Sequence, residues 1–391
     1  MTNTAKLRLA AIRELLPAQE IDALLVSGPE NRRYLSGFTA TDPDWGMLLI
    51  TASAAFLLTD FRYQAWAQQE VRDFKICTYK VDLAETLGEH LKELQVRRLG
   101  FEAVHLTYWQ YQRLTKNVAG AGLTVAWEPL EGLVEGLRQH KSTTELATMR
   151  RALELTETVM RQVAGELAPG QTERQVAWEI EKRLREGGAE GMAFPPIVAA
   201  GPNSARPHHH PGDYALKAGE PILIDMGARI DGYCADMTRT FVIGPADEHF
   251  RKIYSLVRRA QARAEAELKA GMDSLAGDAL AREVIAAEGY GEAFGHSLGH
   301  GVGLAVHEGP SLSPSEARRG ALPAGCVVTV EPGIYLTGWG GVRLEDMVLL
   351  RPEGAEILNK PGYFYEWDEK GRKGKKGKRR KGIKNKRVIS T

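Results

Sequence analysis

The stretch PILIDMGARIDGYCADMTRT places two carboxylates inside otherwise apolar, strand-like runs, Asp225 after Ile222-Leu223-Ile224 and Asp236 after Cys234-Ala235. A buried carboxylate that is neither paired nor metal-bound forfeits hydration worth roughly several kcal/mol, so any fold of this chain must account for both acids. Arg229-Ile230-Asp231-Gly232 between them reads as a hairpin turn, which predicts that the strands fold together and bring both Asp side chains to one place. Without a cation the acids repel and one takes up a proton; a divalent metal removes that conflict. The alternative is that either Asp caps a turn.

Two more carboxylates follow the same pattern. VVTVEPGIYL and GVRLEDMVLL each set a Glu at or within an apolar strand. Pro332 holds Glu331 extended, and side chains two apart on a strand point the same way, so Glu345 is expected to share a face with Arg343. Seven of the ten histidines lie between positions 208 and 307, and FGHSLGHGVGLAVHEGP packs His296, His300 and His307 into twelve residues. Imidazole is both a transition-metal ligand and the side chain best poised for proton transfer near neutrality. Glycines at 295, 299, 301 and 303 let the backbone approach an ion or substrate closely. Four carboxylates and one His form a hard, anionic cage suited to Mn²⁺, Co²⁺, Zn²⁺ or Fe²⁺, and five such ligands suit two ions better than one.

The chain's 391 residues exceed what a single core usually supports and predict two domains. Positions 1–135 alternate helical and strand patterns as an α/β domain: a helix at the amino terminus, IDALLVSG, a hairpin of GMLLIT and AAFLLTD, helices over 61–71, 81–95 and 107–118, and strands RRLGFE and LTVAWE. From 136 to 359 the pattern is α+β, helices on one face of a largely antiparallel sheet. Ser142 with Glu145 is a capping box opening a long helix, Thr172 with Glu173 opens the next, and Gly187-Gly188 ends it. Residues 360–391 are basic and low in complexity and predict a mobile tail; positions 361–391 carry a net +9 against −8 for the rest. Such a tail is either a solvated extension or an electrostatic anchor for nucleic acid or anionic lipid.

No apolar run reaches the roughly 20 residues of a membrane helix, and the amino terminus lacks a secretory pattern. Three dispersed cysteines, Cys77, Cys234 and Cys326, imply no disulfide framework and fit a cytoplasmic location; Cys234 and Cys326 read as small buried hydrophobes.

In order and in local sequence these motifs resemble those of the pita-bread metallopeptidases, family M24, and within it the Xaa-Pro peptidase branch of aminopeptidase P and prolidase. The resemblance spans positions 1–358: IDALLVSGPENRRYLSGF looks like the creatinase-type amino domain and 143–358 like the catalytic domain. It implies that Asp225, Asp236, His300, Glu331 and Glu345 hold two divalent metal ions, Mn²⁺ foremost, with Asp236 and Glu345 bridging them. Metal-free relatives such as creatinase lack this set. The resemblance also implies that His208, in NSARPHHHPGD, lies on the substrate side while His209 and His210 are loop residues, and that His296 and His307 contact substrate. It places Arg343 near the substrate end, a salt bridge to a neighbouring acid being an equal reading. The implied reaction is attack of a metal-shared hydroxide on the carbonyl before proline, with Glu331 as proton carrier and His307 at the oxyanion, on proline-containing peptides or dipeptides. A homodimer is implied as well. The motifs alone would suit methionine aminopeptidase; the preceding 135 residues favour the Xaa-Pro enzymes. The rival from another class is a scaffold that binds nucleic acid through its basic tail.

Overall fold

Apolar runs too long to alternate with polar residues make strands covered on both faces, and the amino-terminal unit is built on three of them. They are β1 (Ala23–Val26), β2 (Met47–Thr51) and β3 (Ala55–Asp60), each buried along its length. The computed structural model describes residues 4–41, 46–360 and Tyr365, so the basic tail, apart from Lys360 and Tyr365, lies outside the described residues. The chain divides into one unit ending at Arg138 and a second starting at Gln139.

In the first unit β2 and β3 form the predicted hairpin, Met47 opposite Leu58. With β4 (Lys75–Tyr79), β5 (Arg98–Glu102) and β6 (Ala126–Leu130) they make one mixed sheet in the order β4-β3-β2-β1-β5-β6. Its helices are α1 (Thr4–Leu15), α2 (Pro29–Ser36), α3 (Phe61–Glu70), α4 (Leu83–Glu93), α5 (Tyr108–Gly120) and α6 (Leu133–Gln139). The sequence pattern does not announce α2, because a charged residue holds a core position there: Arg32 is fully buried, its guanidinium donating to the carbonyls of Ala40 (3.0 Å) and Gly46. β4 is also unannounced, being only half-buried. β6 starts three residues later than LTVAWE suggests and contains Pro129, which an edge strand tolerates.

The second unit opens with α7 (Thr143–Glu166), whose capping box is formed as read: Ser142 Oγ accepts from the Glu145 N–H, and the Glu145 carboxylate accepts from the Ser142 N–H. α8 (Glu173–Glu186) follows behind Thr172 and ends at Gly187. Among the described residues every strand pair of this unit is antiparallel. β7 (Gly191–Met192) joins β10 (Ala228–Ile230) and β11 (Tyr233–Cys234); β8 (Ile197–Ala200) joins β9 (Pro221–Met226) and β12 (Met237–Val242). Then come α9 (Glu248–Glu267) and α10 (Ser274–Ala287). β13 (Gly299–Gly301), β14 (Glu308–Leu312), β15 (Val327–Val330), β18 (Asp346–Arg351) and β19 (Gly354–Ile357) form a five-stranded sheet, and β16 (Gly333–Leu336) pairs with β17 (Gly340–Arg343). β15 and β18 lie between two cores: Val327 and Leu349 enter the one shared with α7 and α8, Val328 and Val348 the one shared with α9 and α10. Among the described residues no helix is long and apolar enough to cross a membrane. Cys234 and Cys326 are buried thiols, as read from sequence.

Candidate metal centre

Asp225 and Asp236 are brought together by a tighter turn than the four residues read from sequence. Arg229 and Ile230 belong to β10, and only Asp231-Gly232 turns, both with positive φ (47° and 80°), the conformation of a two-residue hairpin whose twist suits its strands. Below it the strands cross at Gly227, where a Cβ would lie 1.8 Å from the Ala235 carbonyl oxygen. Thr238 then pairs with Asp225 across β12 and β9.

A second crossing supplies the imidazole. Gly299 lies against β15, where a Cβ would meet the Thr329 carbonyl oxygen at 1.9 Å. The His300 N–H donates to Thr329 Oγ1 (3.1 Å), and that hydroxyl donates to Glu331 Oε1 (3.2 Å). Glu345 does not share a strand face with Arg343. It sits in the two-residue break between β17 and β18, and Thr238 reconciles the two by donating to Glu345 Oε2 (2.6 Å) and accepting from Arg343 Nε (3.0 Å).

Donor atoms of Asp236, His300 and Glu345 lie within 4.8 Å of one another. His300 Nε2 is 3.4 Å from Glu331 Oε1 and 3.6 Å from Asp236 Oδ2. Asp225 Oδ2 accepts from Arg343 Nη2 at 2.6 Å while its buried Oδ1 has no partner among the described residues. Neither Asp caps a turn. His208, His296, His307 and Arg343 line the same cavity of about 780 Å³ as these five, with Phe194, Pro195, Pro196 and Ile197 as its apolar wall.

The electrostatics of this cluster suit a cation. Burial, and then the neighbouring acids, raise the Asp236 and Glu345 carboxyls well above their ordinary range. Burial, with Asp225 adding to it against Arg343, pushes Glu331 up to about 7. His300 Nδ1 is 3.1 Å from the Gly301 carbonyl and can only donate there, so in the neutral ring Nε2 presents a lone pair to the lone pairs of Glu331 and Asp236. Burial holds this imidazole below its ordinary pKa, so the ring stays neutral. Lone pairs converging on one point are reconciled by a metal ion, and the fixed tautomer is the usual arrangement of a metal-binding His. The residues therefore fit a divalent cation.

The outer histidines differ in what they have free. His296 Nδ1 donates to the Ser297 carbonyl (2.8 Å), so Nε2 accepts from the Tyr335 hydroxyl (2.9 Å), which accepts from Arg343 Nη1 (3.1 Å). Burial, then the Arg343 charge, pulls its pKa down to about 3. His307 packs edge-on to His300, centroids 4.1 Å apart, and is pulled down to about 4 by burial and then by His300. Of the two readings of Arg343, the salt bridge to Asp225 is formed, and the guanidinium also reaches the Pro207 carbonyl (3.3 Å). His208, His209 and His210 all line the cavity, so the lining does not set His208 apart from its neighbours; His209 also bonds to the buried Glu173 (2.8 Å) and ties the loop to α8. Thr238, Thr329 and Tyr335 are the residues sequence reasoning missed. Each threonine stands two positions from an acid, Thr238 from Asp236 and Thr329 from Glu331, but neither acid lies in its threonine's strand, so period two does not find them.

The profile of metallopeptidase family M24 matches residues 147–352, and that of the creatinase/prolidase N-terminal domain matches residues 8–140. The chain is 37% identical over 352 residues to the uncharacterized peptidase YqhT of Bacillus subtilis (strain 168), covering 90% of this chain and 97% of that one. Among solved structures it is similar to an Xaa-Pro dipeptidase from Bacillus anthracis, with a TM-score of 0.86 and 35% identity over 92% of this chain and 98% of that one. It is similar also to an X-Pro aminopeptidase from Thermotoga maritima, with a TM-score of 0.80 and 36% identity over 88% and 97%. An α/β unit followed by an antiparallel unit that gathers four acids and an imidazole, together with these matches, places the chain in metallopeptidase family M24, its catalytic domain preceded by a creatinase/prolidase N-terminal domain.

Proposed function

We propose that the protein is an Xaa-Pro exopeptidase that hydrolyses the bond before proline in dipeptides or at the amino end of peptides. The observation carrying this reading is the convergence of Asp236, His300 and Glu345 within 4.8 Å, in a cavity that also holds neutral histidines and an apolar wall fit for a proline ring. Similarity to a dipeptidase and to an aminopeptidase supports the substrate class.

In this reading Asp225, Asp236, His300, Glu331 and Glu345 would hold two divalent cations, Mn²⁺ foremost. When bound, such cations would supply Lewis-acid chemistry and lower the pKa of water. Glu331, at the edge of the cluster and linked to Thr329, would take the water's proton and deliver it to the leaving imino nitrogen. His307, neutral and open to the cavity, donates to the carbonyl oxygen as charge develops on it. His208 orients the peptide. His296 and Arg343 act through Tyr335 and Asp225 to hold the wall of the site in register. The enzyme works as a homodimer, and its three dispersed cysteines suit a reducing compartment such as the cytoplasm.

A panel of Xaa-Pro dipeptides and longer Xaa-Pro peptides, assayed with added Mn²⁺ or Co²⁺, tests the proposal. Hydrolysis of dipeptides alone assigns a prolidase and hydrolysis of longer peptides an aminopeptidase. Hydrolysis of neither class rejects the reading.

A further inference from the structure

The loop that carries His307 is held from beneath by an ion pair that the chemistry described above does not use. Lys141 Nζ lies 2.6 Å from Glu308 Oε1, and the two side chains are 1% and 5% exposed. A pair taken this far out of water is weak support for stability by itself, yet removing either partner strands a buried charge. Its placement is specific. Lys141 sits in the short link before α7, its N–H donating to the Gly325 carbonyl (3.0 Å) just ahead of β15. Glu308 directly follows His307, and its other oxygen accepts from the Ala305 N–H (3.4 Å). The carboxylate also fills the space over Gly303, where a Cβ would lie 2.3 Å from Glu308 Oε1. The Glu308 carboxylate thus closes the 303–308 turn from inside, and Lys141 fixes that carboxylate.

We propose that Lys141 is a positioning residue for His307: through Glu308 it anchors the 303–309 loop and so sets the imidazole at the cleft. The kinetic half of this proposal rests on the peptidase reading; the anchoring half does not. Loss of a supporting partner of this kind typically costs on the order of 10- to 100-fold in activity.

The test uses the full chain with Lys141→Met and Lys141→Arg, each also in a His307→Ala background. In chelator-treated protein, Lys141→Met is expected to speed amide hydrogen exchange across 303–309 about tenfold or more while Lys141→Arg, which keeps the charge, stays near wild type. With Mn²⁺ and an Xaa-Pro peptide, Lys141→Met is expected to lower kcat/KM by roughly 10- to 100-fold in the wild-type background, but by less than about twofold once His307 is Ala, because losses transmitted through one residue do not multiply. Unchanged exchange, or a full multiplicative loss in the His307→Ala background, overturns the proposal. Should Lys141→Met fail to fold, Glu308→Gln, which keeps shape and a hydrogen bond, carries the same two measurements. If the wild-type protein cleaves no Xaa-Pro peptide the substrate reading falls, and the exchange result alone decides whether the pair anchors the loop.

Discussion

Glu331 carries the clearest consequence of a single titrating group. Its folded-state pKa of about 7 lies above the ordinary 4.5, so in metal-free protein the folded chain keeps a proton that the unfolded chain has released. That stabilisation is complete below pH 4.5 and is lost as pH rises through 7, a change of about 3 kcal/mol at one unit per 1.36 kcal/mol. Urea titrations of chelator-treated Glu331→Gln should therefore show a shallower fall in stability between these pH values than wild type; an equal slope would place the proton elsewhere. Asp236 and Glu345 shift in the same direction and should keep part of the slope in the variant. Arg343→Met tests the opposite sign of charge. It strands Asp225 in a buried site and should destabilise metal-free protein by about 3 to 5 kcal/mol, measured by the same titration. All nine singled-out side chains line one cavity; the four acids and His296, His300 and His307 were legible because an acid or imidazole in an apolar or Gly-rich run is costly to explain otherwise, whereas His208 and the site role of Arg343 came from the family resemblance. Thr238, Thr329 and Tyr335 were not legible, because a hydroxyl in a strand is ordinary and only its partner reveals its use.

Strands reach the site by crossing at glycines, and there a side chain is not tolerated. A Cβ at Gly227 would lie 1.8 Å from the backbone oxygen of Ala235, which cannot step aside as a flexible side chain would. Gly227→Ala should cost about 3 kcal/mol or more and lower the melting temperature of the metal-free protein, whereas Gly170→Ala, strained in φ but with open space around it, should cost less. Equal costs would mean that the crossing is looser than described. Elements with strong periodicity or punctuation, such as α7 with its capping box and the β2–β3 hairpin, could be read directly from sequence. The break that lifts Glu345 out of strand register could not, because GVRLEDMVLL is uniformly strand-like and the interruption is imposed by Thr238 and Arg239 of β12 reaching Glu345 from another strand. α2 stayed hidden for a related reason, with Arg32 at a core position that polarity patterns assign to the surface.

For the molecule entire, the sequence reading starts a second, largely antiparallel unit near position 136, where periodicity changes, and the chain divides at Arg138 and Gln139. On the proposed reading the basic tail takes no part in turnover. Deleting 371–391, which spares the Tyr365 contact with Tyr254, should leave kcat/KM on an Xaa-Pro peptide within about twofold, and a larger loss would draw the tail into turnover. On the proposed reading a bound cation displaces protons, since burial and neighbouring acids favour the protonated carboxyls in the metal-free chain. The most direct test is calorimetric titration of Mn²⁺ into chelator-treated wild type and Asp236→Ala, in two buffers of different ionisation enthalpy at neutral pH. Two cations bound per wild-type chain, with protons released to the buffer, and loss of that binding in Asp236→Ala are the expected result. No binding by wild type, or the same stoichiometry and proton release in Asp236→Ala, would contradict it.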